Sequence, residues 1–305
     1  MRPPSPSIPE KDFFFSALDQ ALRLDGRDFL EARPHSLSFG AELGHVECSL
    51  GKTRVLAQVD AKMVRPEPQR PFEGLISIHC ELSPMASTEY EPGRQSDEEI
   101  ALARMLDKIF RRSDTIDREA LCILAGERVW HLRIAIHALA DAGGLLDCAS
   151  LACAAALRHF RRPDVEVVGA NEVIVHPPAL RAPVPLALHH TPYCITFACY
   201  RAAPEPSAAA AKGAGAGTVA GQTETAPRVL LDPAGLEHRL AQGMLHLALT
   251  PQRELAVVHK AGGLPLAPGV LMGAVQVAAR RARELEAWLD VRVREDWVRK
   301  KVEVR

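Results

Sequence analysis

The chain has no uninterrupted apolar run approaching about 18 residues, no Cys-x-x-Cys pair, no His-x-x-x-His spacing and a formal net charge of only −1 over 305 residues. Each absence removes a class of protein. Without the apolar run no segment reads as a membrane-crossing helix. The first thirty residues carry prolines and acids where a leader needs a basic start and an apolar stretch, so the expectation is a soluble, intracellular protein. The seven cysteines, Cys48, Cys80, Cys122, Cys148, Cys153, Cys194 and Cys199, are scattered and odd in number. They make a poor disulfide framework and read as buried thiols of a reducing compartment. The adjacent His189 and His190 would point to opposite faces of a strand, so no metal and no cofactor is expected. A near-neutral chain is not a wholly basic nucleic-acid binder, and any contact with RNA must be a local patch.

What is present is 47 % hydrophobic residues, enough to bury a sizeable core in one large or two smaller domains. After a Pro-rich start, Phe14, Leu18 and Leu22 share one face of a short amphipathic helix. From Ser36 to Glu81, Gly40, Gly44 and Gly51 punctuate strand-like runs, and a meander is expected. Strands follow at Ala120 to Leu124 and Val129 to Ala140; the second sets Trp130, Leu132, Ile134 and Ile136 against Val129, His131, Arg133 and Ala135. Residues 146–160 form an alanine-rich helix able to approach a sheet closely. The stretch 204–227, nearly all Ala, Gly, Ser, Thr and Pro, is expected to be a flexible insertion within a hairpin of Tyr193 to Tyr200 with Arg228 to Pro233. A strand at Glu254 to Lys260, a long helix at Pro268 to Leu289 and a basic tail over 291–305 complete the chain.

The most informative stretch is 91–112, where a Glu-Pro-Gly turn hands over to a helix with two faces. Leu102, Met105, Leu106, Ile109 and Phe110 form an apolar stripe. Arg104, Lys108 and Arg111 form a second stripe of cations. Alone, that stripe is a solvated face with Asp107 and Glu99 as counter-charges, or a rail along which a polyanion backbone is held without its bases being read. Trp130, Trp288, Trp297 and the Phe13–Phe15 run read as packing residues rather than stacking platforms for bases.

The context of that helix carries a resemblance. Arg23-Leu24-Asp25-Gly26-Arg27, Leu50-Gly51-Lys52-Thr53-Arg54, Ala125-Gly126-Glu127-Arg128-Val129-Trp130, Asp141-Ala142-Gly143-Gly144-Leu145 and His159-Phe160-Arg161-Arg162-Pro163, in that order and spacing, closely resemble the RNase PH family over roughly residues 10–290. Within it the details resemble the non-catalytic RNase PH-like subunits of the eukaryotic exosome core, counterparts of the archaeal non-catalytic ring subunit. The resemblance implies an α+β chain with the RNase PH fold: a ribosomal protein S5 domain 2-like β-α sandwich followed by a smaller RNase PH C-terminal subdomain. It places an N-terminal helix and arm at 1–30, domain 1 at 31–188, and domain 2 at 189–290 with the insertion inside it.

Active members hold inorganic phosphate with an Asp-x-Gly-Ser/Thr-Arg motif, because an attacking anion needs a cation and hydroxyl or backbone donors around it. Here the hydroxyl position is Gly144 and the arginine position Leu145. Active members also carry acids shortly before a Val-Pro-Val segment, and Ala182 stands where the nearest carboxylate is expected. The resemblance thus implies a catalytically silent subunit. Its RNA contacts would be Arg104 and Lys108, which match the two RNA-contacting arginines of the archaeal ring subunit. Arg111, Arg94 in the turn, and Lys62, Arg65 and Arg70 in a proline-broken loop are further candidates. The implied partners are RNA, a second RNase PH-like subunit as heterodimer partner, the other ring subunits, cap subunits with S1 or KH domains and a separate processive exoribonuclease. The implied setting is 3′ to 5′ RNA processing and degradation in nucleus, nucleolus and cytoplasm. The rival readings are an active phosphate-dependent 3′ to 5′ exoribonuclease subunit and a ring scaffold that never touches RNA.

Overall fold

The computed structural model describes residues 6–91, 93, 95–169, 172–178, 180–201 and 227–300. The chain enters through α1 (Ile8–Asp19), started by a reciprocal cap in which the Ser7 side chain and Glu10 satisfy each other's backbone N–H. Phe14 and Leu18 are buried, and the Phe14 ring meets Tyr200 edge-on at 5.3 Å. The face does not extend to Leu22, which is 58 % exposed, because the helix ends at Asp19 and Ala21 turns the chain with a φ of +57°.

Six strands build the first sheet: β1 (His35–Phe39), β2 (His45–Leu50), β3 (Thr53–Val64), β4 (Leu75–Leu82), β5 (Cys122–Leu124) and β6 (Arg128–Ala140). The expected meander holds through β3 and then breaks. The order is β1-β2-β3-β6-β4, so β6 enters between β3 and β4, antiparallel to the first and parallel to the second. A parallel pair needs a crossover, and helix α2 (Asp97–Leu106) supplies it between β4 and β6. The alternation read along β6 is realised from Trp130 onward: Trp130, Leu132, Ile134 and Ile136 are buried while Arg133 faces out, but Val129, on the other face, is buried as well.

Helix α3 (Leu145–His159) is the middle layer. Ala149, Ala152, Ala155 and Ala156 are fully buried, and their small side chains let the helix lie against β2 and β3 on one side and a second sheet on the other. That sheet has the order β12-β11-β13-β14, from β11 (Tyr193–Tyr200), β12 (Arg228–Leu231), β13 (Gly243–Leu249) and β14 (Leu255–Gly262). Tyr200 pairs with Arg228, so the strands flanking the Ala/Gly-rich stretch do form the expected hairpin. Residues 202–226 and 301–305, which hold most of the insertion and the last of the basic tail, lie outside the described residues.

In chain order, two short ladders come between α3 and β11: β7 (Arg161–Arg162) with β10 (Val184–Pro185), and the hairpin of β8 (Val165–Val168) with β9 (Glu172–Val175). A short helix, α4 (Gly235–Leu240), follows β12, and α5 (Pro268–Lys300) closes the chain. The expected end of α5 near Leu289 is corrected. Val293 and Asp296 continue the buried face, so the helix runs through Arg299 and Lys300, and the Lys300 ammonium pairs with Asp296 at 3.0 Å.

Candidate nucleic-acid interface

The turn between β6 and α3 is held by its own side chains. Asp141 accepts from the Gly143 N–H at 2.9 Å and from the Tyr90 hydroxyl at 2.7 Å. Gly143 and Gly144 both lie in the left-handed region, at φ +86° and +67°, a conformation glycine adopts without penalty. Gly144 therefore caps α3 with no side chain of its own. A Cβ at Gly144 would sit 2.5 Å from Arg33 Nη2 and 2.9 Å from Asp232 Oδ1. The space in which a hydroxyl residue would stand is taken.

Its occupant is a buried ion pair. Arg33 Nη2 donates to Asp232 Oδ1 at 2.6 Å, and Nε donates to Oδ2 at 2.9 Å. The remaining donors go to the turn and to β3: Nη2 to the Gly143 carbonyl at 2.8 Å, Nη1 to the Ala142 carbonyl at 3.1 Å and to Thr53 Oγ1 at 3.5 Å. All five N–H groups of the guanidinium are engaged, which leaves none for a phosphate. Burial pushes the Asp232 carboxyl up, but the hydrogen bonds and charge of Arg33, with Arg27 beyond, bring it below the usual carboxylate range. The anion beside the N-terminus of α3 is thus the chain's own. Leu145 is half-buried against the core, and its side chain offers no donor. Two residues along, Asp147 is pushed up to about 7 by burial, despite hydrogen bonds from the Thr196 backbone and hydroxyl that favour its charged form.

The arginine-rich motif at the N-terminal end serves the same assembly. Arg23 is buried, forks onto Glu237 at 2.6 and 3.0 Å and donates to the Leu231 and Asp232 carbonyls at 3.0 Å, while Arg27 pairs with Asp232 at 3.3 Å. These residues clamp the N-terminal arm to the second sheet.

Helix α2 presents the other part of the site. Ser96 caps it by accepting the Glu99 N–H at 3.1 Å, and Asp97, Glu98 and Glu99 sit in the first turn, where acids suit the helix dipole. Leu102, Met105, Leu106, Ile109 and Phe110 are all buried, as the apolar stripe requires. The cationic stripe is altered. At Asp107–Arg111 the helix widens into one π turn, with the Arg112 N–H bonded to the Asp107 carbonyl at 3.0 Å, five residues back. Asp107 then pairs with Arg111 at 2.6 Å and with Arg112 at 3.2 Å. Arg104 is exposed and Lys108 half-exposed, and neither has an ion pair among the described residues.

The loop candidates are not gathered onto that face. Lys62 stands on the open face of the first sheet, across from His131. Arg65 lies at a cleft with Gly126, Glu127 and Arg128. Arg70 shares a second cleft with Arg111 and Arg118, where Glu73 lies 3.0 Å from Arg70 and 3.5 Å from Arg118. Nothing in the sequence signals that Arg118 returns to this cleft. Arg94 lies outside the described residues. Ala182 is half-buried where the chain approaches β10; beside it Arg181 pairs with Glu166 at 2.6 Å and with Asp164 at 3.5 Å. Among the aromatics, Trp130 is buried, Trp288 packs edge-on against His35, and Trp297 lies under the Arg161 guanidinium at 4.4 Å. Phe13, by contrast, is 64 % exposed.

The chain thus sets α3 between two sheets and opens that helix with an Asp-x-Gly turn. Residues 31–163 match the 3′ exoribonuclease family, domain 1 (RNase_PH). The chain is 36 % identical over 272 residues to the exosome complex component rrp45 of Schizosaccharomyces pombe, covering 89 % of this chain and 85 % of that protein. It is 37 % identical over 276 residues to the exosome complex component RRP45 of Homo sapiens, of which it spans 57 %. It superposes with a TM-score of 0.71 on a chain of the Archaeoglobus fulgidus exosome with RNA bound to the active site, at 26 % identity over 91 % of this chain and 96 % of that one. The chain belongs to the RNase PH (3′ exoribonuclease) family.

Proposed function

We propose that this chain is a ring subunit of an exosome core that holds and guides RNA in 3′ to 5′ processing and degradation, and that it performs no phosphorolysis itself. The observation that carries the second part is the turn at Asp141–Leu145. It has neither hydroxyl nor cation for phosphate, and the fully engaged Arg33–Asp232 pair fills the adjoining space. Phosphorolysis requires an activated phosphate anion, and the guanidinium nearest the N-terminal end of α3 has its donors engaged by Asp232 and by the Ala142 and Gly143 carbonyls. The similarity to exosome components of two eukaryotes and to the archaeal exosome supports the ring. The partners that follow are RNA, a second RNase PH-like subunit, the remaining ring and cap subunits and a separate exoribonuclease. Nucleus, nucleolus and cytoplasm are the compartments this role implies. Arg104 and Lys108 are the cations available for the RNA backbone on α2, while Arg111 is already matched by Asp107.

The test is RNA trimming by the chain assembled with its RNase PH-like partners, with and without inorganic phosphate. The expected result is no nucleoside diphosphate, together with RNA crosslinks on residues 104–108. Phosphate-dependent product that disappears when this chain alone is mutated would establish the rival, an active subunit.

A further inference from the structure

Between α5 and the turn joining β13 to β14 lies a groove of about 690 Å³. Leu249, Val275 and Ala279 form its floor, and Arg253, Arg280 and Arg283 stand around it. All three arginines are exposed. Among the described residues Arg283 makes one side-chain hydrogen bond, a long one from Nε to the Ala279 carbonyl at 3.4 Å. Among the described residues none of the three arginines has a carboxylate partner, and Glu284 at the rim is taken by Arg281 at 2.9 Å. The contrast with the Arg70, Arg111 and Arg118 cleft is direct, since there each arginine has a carboxylate within 3.5 Å. Arg253 also sits in the left-handed region, at φ +73°, in the tight turn where its N–H bonds the Thr250 carbonyl at 3.0 Å. Non-glycine residues are disfavoured in that backbone, so an arginine held there is a candidate for a role of its side chain.

We propose that this groove receives a short acidic segment of a partner protein in which apolar side chains alternate with carboxylates. The three guanidiniums match carboxylates with forked hydrogen bonds. The floor of Leu249, Val275 and Ala279 takes the apolar side chains, which an RNA backbone does not have. Nucleobases are held on aromatic platforms, and among the described residues no aromatic side chain lines the groove. The groove is separate from α2, so this inference stands whether or not RNA follows Arg104 and Lys108.

The experiment uses the chain assembled with its ring partners and a short fluorescein-labelled peptide of alternating Asp/Glu and Leu, read by anisotropy. Saturable binding is expected, weakened about tenfold or more by Arg280→Glu with Arg283→Glu, and equally by Ser in place of every Leu of the peptide. Both arginines are exposed, so the double variant keeps its fold. Arg294→Glu, an exposed position further along α5, is expected to leave affinity unchanged. No binding, equal binding of the Leu and Ser peptides, or an equal loss with Arg294→Glu would overturn the proposal. So would poly(U) crosslinks on the groove that vanish in the double variant, since they would make RNA the occupant.

Discussion

Arg33 and Asp232, 199 residues apart in sequence, meet beneath the turn that opens α3, with contacts of 2.6 and 2.9 Å. The pair ties three segments together: the strand-leading arm before β1, the phosphate-type turn and the end of β12. On the function proposed above, the turn is more than two substitutions away from a phosphate site, because a buried ion pair fills the space beside it.

Removing one partner leaves the other charged, buried and unpaired. Arg33→Ala and Asp232→Ala are each expected to cost about 3–5 kcal/mol. Replacing both with apolar residues of similar volume, Arg33→Met with Asp232→Leu, should recover part of that loss, although the Ala142 and Gly143 carbonyls then lose their donor. Denaturant midpoints of the three variants test this, and equal losses for the single and double variants would contradict it.

Restoring the two family residues should not restore catalysis. Leu145→Arg alone adds a cation beside a turn whose anion site is filled. Gly144→Ser places a Cβ 2.5 Å from Arg33 Nη2 and forces a side chain into φ +67°. The double variant is expected to release no nucleoside diphosphate from RNA and phosphate, and to lose about 1–3 kcal/mol of stability from the overpacking. Release of diphosphate would show that Arg33 and Asp232 can yield their place.

Much of the fold is legible in the sequence because it is local. The 3.6-residue period of Leu102 to Phe110, the two-residue alternation along β6 and the alanine run of α3 each state their element and its buried face. What is not legible depends on distant partners. The place of β4 beside β6 is set by pairing across a crossover helix, and no pattern within β4 records it. The end of α5 is hidden because the charged run through Arg299 and Lys300 looks like a solvated tail, and because the buried face, although it continues at helical spacing through Val293, ends on an aspartate, Asp296, whose burial no apolar pattern signals. At the site, the absence of donors at Gly144 and Leu145 can be read directly, but Arg33 cannot, since a lone arginine before a strand has no mark of burial. Regular helical spacing sets Arg104, Lys108 and Arg111 in one stripe, and the π turn and Asp107 remove Arg111 from it.

That removal makes a prediction about RNA. Charge reversal at Arg104 and Lys108 should weaken binding of single-stranded RNA to the assembled ring. It should also reduce the slope of log K against log salt by about 0.7 for each phosphate that is no longer neutralised. Arg111→Glu should have a much smaller effect, because Arg111 is already held at 2.6 Å by Asp107. Titrations at several salt concentrations decide it. If Arg111→Glu matches the double reversal, all three cations face the RNA; if neither changes the slope, the chain is a scaffold that RNA does not touch.

Asp147 and His246 give the last prediction, in which two titrations oppose each other through one hydroxyl. Thr196 Oγ1 donates to the Asp147 carboxylate Oδ1 at 2.5 Å and is hydrogen-bonded to His246 Nδ1 at 2.9 Å. Burial pushes Asp147 up to about 7 from an ordinary 3.8. The native state therefore holds a proton that the unfolded chain has lost across that window, and this group's contribution to stability falls as pH rises from about 4 to 7. Burial, with His259 stacked at 5.8 Å, pushes His246 down to about 4. Between about 4 and 6.5 the unfolded chain holds the extra proton, so this contribution grows as pH rises. The two slopes offset each other in the wild type. Asp147→Asn removes the falling one, and its urea midpoint relative to wild type should climb from about pH 4 to about pH 7. His246→Gln removes the rising one, and its relative midpoint should decline between about pH 4 and 6.5. If both variants run parallel to the wild type across that range, neither group titrates between the folded and unfolded states as its surroundings require.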